Sequence, residues 1–210
     1  MILTIARKEL KALFSSPLAW VVLTFVQIMV AYGFIKRIDD YLQIQSRLAT
    51  LPNPPGITET VASPVYATLA IIFLFAIPLL AMRLIAEERR NQTLVLLMSA
   101  PVSMTEIALG KFAGLLAFLC LLIGLATLMP LSLLMGGRLD FGLLASMVLG
   151  VVLLAACFSA VSLFASSLTA HPFVASMIAF GLLLGMLLTG ETAADGMRAR
   201  GWTVPAELAQ

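Results

Sequence analysis

Apolar residues in this chain come in long runs, not in alternation. Five stretches, at about 18–35, 65–84, 107–135, 141–166 and 173–189, approach or exceed the roughly 20 apolar residues that a bilayer-spanning helix needs. Ser16-Pro17 and Ser63-Pro64 each place a capping hydroxyl before a first-turn proline, which predicts a helix start. Gly136-Gly-Arg-Leu-Asp140 turns the chain between the third and fourth stretches. From Phe141 to Gly190 there is no Asp, Glu, Lys or Arg, and Ser166-Ser-Leu-Thr-Ala-His-Pro172 divides this run into two spans. Pro78 falls inside the second span, where neighbouring helices can satisfy the carbonyl it frees.

The first 15 residues follow another pattern. At helical spacing Ile2, Ile5, Ala6, Leu10, Leu13 and Phe14 share one broad face, and Thr4, Arg7, Lys8 and Lys11 share the other. This predicts an amphipathic helix lying at the membrane interface. Glu9 breaks the pattern, because it falls near the middle of the apolar arc. Two readings fit it: a carboxylate that snorkels out to water, or one paired with a cation on a neighbouring helix, with Arg83 and Lys111 as partners.

Between the first two spans, Lys36-Arg-Ile-Asp-Asp40 closes the apolar run. The chain to residue 62, with Pro52-Asn-Pro-Pro-Gly56, then predicts an external loop with a short helix near 41–49. Residues 191–210 are polar and predict the beginning of a further loop, with another span to follow.

Composition agrees with the pattern: 61% of the 210 residues are hydrophobic and 11% are charged, against about 25% charged in soluble domains. The expected fold is therefore an all-α polytopic membrane protein. A net charge of +2 gives no ground for nucleic-acid binding. Arg7, Lys8 and Lys11 lie on the same side as Arg83, Arg89, Arg90 and Lys111 if the N-terminus is cytosolic, as the positive-inside bias favours. Cys120 and Cys157 lie in apolar runs, where they read as packing residues. The methionines are scattered without paired spacing, so no copper path is expected, and His171 reads as a boundary residue beside Pro172.

The most polar connection joins the second and third spans. Residues 86–98 suit a helix with Glu87, Glu88, Arg89, Arg90 and Asn91 on its polar side and Leu94, Leu97 and Met98 as an apolar patch. That arrangement suits docking into a partner's groove. The chain then turns at Pro101. Ser103-Met-Thr-Glu106 matches a capping box, with Val102 and Ile107 placed as a hydrophobic staple. A solvated loop helix that only satisfies the charge bias is the plainer reading. The tight capping favours a rigid element. Gly110-Lys-Phe-Ala-Gly114 and Gly181-Leu-Leu-Leu-Gly185 allow close helix approach.

The order Glu88-Arg89, Thr93-Leu94, Leu96-Leu97, Ser99-Ala-Pro-Val-Ser103, Glu106-Ile107 and Leu109-Gly-Lys111 resembles the cytosolic loop of ABC-2 type transporter permeases. Ile5-Ala-Arg-Lys-Glu-Leu10 followed by Ser16-Pro17 resembles the family's N-terminal interfacial helix. The likeness covers about residues 1–190 and is nearest the subgroup that holds the gliding-motility permease and the permease of nitrous oxide reductase maturation. It departs at Gln92, where the family has glycine, and in showing five spans where the family has six.

The resemblance implies a multi-pass protein of the cell inner membrane that pairs with a second copy or a related permease. A coupling helix carrying Glu87, Glu88, Arg89, Arg90, Thr93, Leu94, Leu97 and Met98 would dock on a separate cytosolic ATPase. ATP and Mg would be held by that partner, with no catalytic residue, metal or cofactor site in this chain. Consistently, Gly110-Lys111 lacks the remainder of a G-x-x-x-x-G-K-[ST] phosphate loop. A proton-coupled carrier or an intramembrane enzyme would need ionisable groups gathered at mid-depth, and the spans offer none. A non-transporting scaffold of a cell-envelope complex stays open as the second reading.

Overall fold

A computed structural model describes residues 1–48, 56–87, 103–135 and 139–199. All regular structure among them is helical. Helix α1 is Ile2–Ser15, α2 Pro17–Leu48, α3 Ser63–Ala81, α4 Met104–Ser132, α5 Phe141–Leu168 and α6 Pro172–Ala199. Single π-turns precede and follow α3, at Thr58–Ala62 and Arg83–Glu87. Among the described residues, five helices are long and apolar enough to cross a membrane: Pro17–Ile44, Thr58–Ala86, Met104–Ser132, Phe141–Leu168 and Pro172–Gly190.

The α3 span is the hub, with about 56% of its most apolar window buried against other helices, while the other four spans are less enclosed. Phe73, Leu69, Ile77 and Leu80 are fully buried on it, and α2, α5 and α6 pack around it. Helix α4 joins this core through Leu115, Phe118, Leu119, Leu122 and Ile123. Interhelical hydrogen bonds add direction to apolar packing. Gln27 Nε2 donates to the Leu122 carbonyl at 3.0 Å, and Tyr66 Oη bonds Thr127 Oγ1 at 3.1 Å. In a bilayer such bonds average about 0.6 kcal/mol, so they set register more than they supply stability.

The element boundaries differ from the sequence expectation in four places. Helix α2 does not stop at Lys36 but continues to Leu48. Its 32 residues extend about 48 Å at 1.5 Å each, well beyond a hydrocarbon core of about 30 Å. Charge ends a membrane span but does not break a helix, and between Pro17 and Pro52 there is no proline. Ser63-Pro64 is not the start of the second span, because the helix already runs from the π-turn at Thr58 and Ser63 makes no capping bond. A π-turn before the ring accommodates a residue without an N–H. The third span's helix opens at Met104, as the Ser103 cap predicts, but its α-helical part ends at Ser132 and passes into a 3-10 turn at Leu133–Met135. Residues 191–199 continue α6 as helix.

Asp140 fixes the start of α5. Its carboxylate accepts from the backbone N–H groups of Gly142 at 2.9 Å and Leu143 at 3.1 Å. Its own N–H donates to Thr58 Oγ1, tying this cap to the π-turn before α3. Replacing Asp140 with Ala is expected to destabilise the chain by about 1 kcal/mol, while Asp140→Asn, whose amide oxygen can accept the same bonds, should lose little. Unfolding midpoints of the purified protein in detergent check this.

Candidate functional site

The chain enters α4 under strict control. Ser103 Oγ accepts from the Glu106 N–H at 3.2 Å and Glu106 Oε2 accepts from the Ser103 N–H at 3.1 Å, a complete capping box. Ile107 is buried behind it. Val102, the other half of the expected staple, lies outside the described residues, as does Pro101.

Two turns into α4, Lys111 is one of the most buried side chains in the protein, with 1% of its surface exposed. Its Nζ donates to Glu9 Oε1 at 3.1 Å and to the Leu84 carbonyl at 2.7 Å. Glu9 therefore takes the paired reading, with Lys111 and not Arg83 as its partner on a neighbouring helix, and its carboxylate is itself only 7% exposed. Lys8 Nζ approaches the same oxygen at 3.6 Å from the solvent side. Arg83 instead donates to Ser16 Oγ at 3.0 Å, across the break between α1 and α2.

Two glycines make this contact reachable. Gly110 and Gly114 stand one turn apart on the α4 face that meets α1, with Lys111 between them in sequence. A Cβ at Gly110 would lie 2.6 Å from the Ile5 Cβ, and one at Gly114 would lie 2.7 Å from the Glu9 Cβ and 3.0 Å from the Ala6 carbonyl. Only hydrogen at both positions lets the α1 backbone approach this closely. A short carboxylate on α1 then reaches the lysine.

The end of the second span meets the same place. After Met82 the helix widens into the π-turn Arg83–Glu87, an irregularity frequent at functional sites. The Ala86 N–H donates to Ser166 Oγ on α5 at 3.1 Å, and that hydroxyl lies 3.4 Å from the Met82 carbonyl it donates to. Leu84 carries the carbonyl that Lys111 holds. The α1–α2 break, the π-turn, α4 and α5 are thus fastened together where the charged connection leaves and re-enters the helical body.

Sequence reasoning did not find Ser166 as a tie, nor the Leu84 carbonyl and Ser16 as acceptors. The spacing of Ser159, Ser162 and Ser166 on one buried face of α5 was the available signal for the first. A backbone carbonyl leaves no trace in residue type. The coupling-helix residues Glu88, Arg89, Arg90, Thr93, Leu94, Leu97 and Met98 lie outside the described residues, as does the side chain of Glu87. Among the described residues, nothing lies within 4 Å of a Cβ built at Gly181 or Gly185, so neither marks a close helix approach there.

The family model for ABC-2 family transporter proteins matches residues 3–205. The chain belongs to this family. Neither a curated protein nor a solved structure matches it. Membership makes the chain a membrane permease subunit of an ATP-binding cassette transporter, a class that works with an ABC ATPase and is typically not itself enzymatic. In this ABC-2 chain the matched region takes in α1, so the helix that carries Glu9 belongs to the transporter domain.

Removing one partner of a buried ion pair costs about 3–5 kcal/mol, because the other charge is left uncompensated. Lys111→Met and Glu9→Leu are each expected to destabilise the permease by that order. The double variant should recover most of the loss, since the two apolar side chains leave no unpaired charge. Thermal unfolding of the four proteins in one detergent gives the coupling, and additive losses would show that the pair does not act as a unit.

Proposed function

We propose that this permease transmits ATP-driven movement from residues 86–98 into its membrane helices through the Lys111 joint. The observation that carries the reading is the triple attachment of one lysine: α4 supplies it, α1 supplies Glu9, and the turn leading into the connection supplies the Leu84 carbonyl. A displacement of the connection is passed to three elements at once, because stretching either contact of Lys111 would leave a buried charge short of partners.

On this reading the N-terminus is cytosolic, and a separate ABC ATPase docks on the connection. Leu94, Leu97 and Met98 would supply the apolar contact and Glu87, Glu88, Arg89 and Arg90 the polar rim. A second copy or a related permease completes the translocation path. The motif order that resembles the gliding-motility and nitrous-oxide-reductase-maturation permeases supports placing the chain in that subgroup.

Docking and transmission can be separated. Deleting residues 86–98, or changing Leu94, Leu97 and Met98 together to Ser, is expected to abolish co-purification of the co-expressed ATPase. Lys111→Met is expected to keep the ATPase bound while losing the permease-dependent part of ATP hydrolysis. Retained binding by both connection variants sinks the docking assignment. Normal coupled hydrolysis in Lys111→Met sinks the joint.

A further inference from the structure

Helix α1 carries three cations, Arg7, Lys8 and Lys11, against one acid, and that acid is turned inward to Lys111. The cations and Thr4 line an open depression of about 390 Å³ on the side away from α4. Beside this polar face runs an apolar flank. Leu3 is 85% exposed, and Phe14 leads to Trp20, which is 53% exposed. The Trp20 indole N–H donates to the Phe14 carbonyl at 2.7 Å, and the two rings meet edge to face with centroids 5.9 Å apart.

A nearly bare leucine and a tryptophan anchored next to a row of cations match the layering of a membrane surface, where an indole and a leucine sit at the level of the first acyl carbons and cations lie above them among the phosphates. Glu9 cannot neutralise the face from outside, since its carboxylate is buried. Its 3.6 Å approach to Lys8 Nζ holds that ammonium at the inner edge of the depression. Among the described residues, the acid at the start of α4, Glu106, is engaged with Ser103.

We propose that the Thr4–Arg7–Lys8–Lys11 face of α1 binds the headgroup of an anionic phospholipid, with Leu3 and Trp20 in the acyl layer below. The outer side of α1 then reads the charge of the leaflet while its inner side holds Lys111. Lipid charge and the joint act on one helix.

Trp20 reports on its own surroundings. With Trp202→Phe in the full-length chain, Trp20 is the sole tryptophan, and its quenching by brominated lipids measures which headgroup is adjacent. In mixed vesicles, brominated phosphatidylglycerol is expected to be preferred over brominated phosphatidylcholine by roughly fivefold or more, the contribution of a single cation at an anionic surface. High salt should reduce that preference. The triple change Arg7→Gln, Lys8→Gln, Lys11→Gln should bring it to within about twofold of unity, while the charge-keeping Arg7→Lys, Lys8→Arg, Lys11→Arg chain retains it.

Equal quenching by the two lipids in the unsubstituted chain overturns the proposal. So does a preference that survives the glutamine changes, or one lost equally in the charge-keeping chain. If the glutamine chain keeps its lipid preference and loses the ATPase, the face belongs to the protein partner and the lipid assignment fails.

Discussion

An ammonium group enclosed at the end of a membrane helix has few ways to exist. Moved alone into a low-dielectric interior, such a charge carries an effective penalty of several kcal/mol. Lys111 is enclosed to 99% and offers three N–H donors. One goes to a carboxylate at 3.1 Å and one to a backbone carbonyl at 2.7 Å. Those two requirements dictate much of the surroundings. A carboxylate must come from another helix, so α1 has to lie against α4. It must come close, so Gly110 and Gly114 have no side chains. A carbonyl must be presented, so the second span ends nearby in a widened turn.

The two ends of the helical body are held by different chemistry. On the side of the α4 C-terminal half and the α5 cap, contacts are neutral: Tyr66 with Thr127, and the Asp140 N–H with Thr58. At the opposite end the Glu9–Lys111 ion pair, the Arg83–Ser16 bond and the Ser166 tie converge. Between them α3 is softened just before the joint. Pro78 removes one helix hydrogen bond, the helix resumes with the Met82 N–H on the Pro78 carbonyl, and the π-turn follows within a few residues. A compliant stretch that runs into a fixed point bends at a defined place.

The sequence revealed those parts of this arrangement that depend on residue type. Glu9 in an apolar arc, a lysine after a glycine and a Ser-x-x-Glu cap are all chemical anomalies, and the site grew from them. The five spans were visible because bilayer thickness writes itself into the length of apolar runs. What the sequence hid was geometric. Pairing Glu9 with Lys111 over Arg83 depends on which α4 face meets α1, and the glycines indicate that face only once the partner helix is known. The continuation of α2 past Lys36 was missed because a charge cluster marks where the membrane stops, which is not where the backbone stops. Both π-turns were invisible, since a single widened turn carries no residue pattern of its own.

A buried ion pair is a poor device for stability alone, because well-packed apolar residues of similar size often serve as well or better. Its use here is register. Helix α1 is amphipathic, and an apolar stripe can slide along a glycine-lined groove by one turn at little cost. A slip of one turn would bring Ile5 or Leu13 to the place of Glu9 and leave Lys111 facing a hydrocarbon side chain. The carboxylate at position 9 forbids both slips, and the Leu84 carbonyl holds the same lysine from a third direction. The permease thereby has one allowed seating of its N-terminal helix, and the end of the second span is part of that seating.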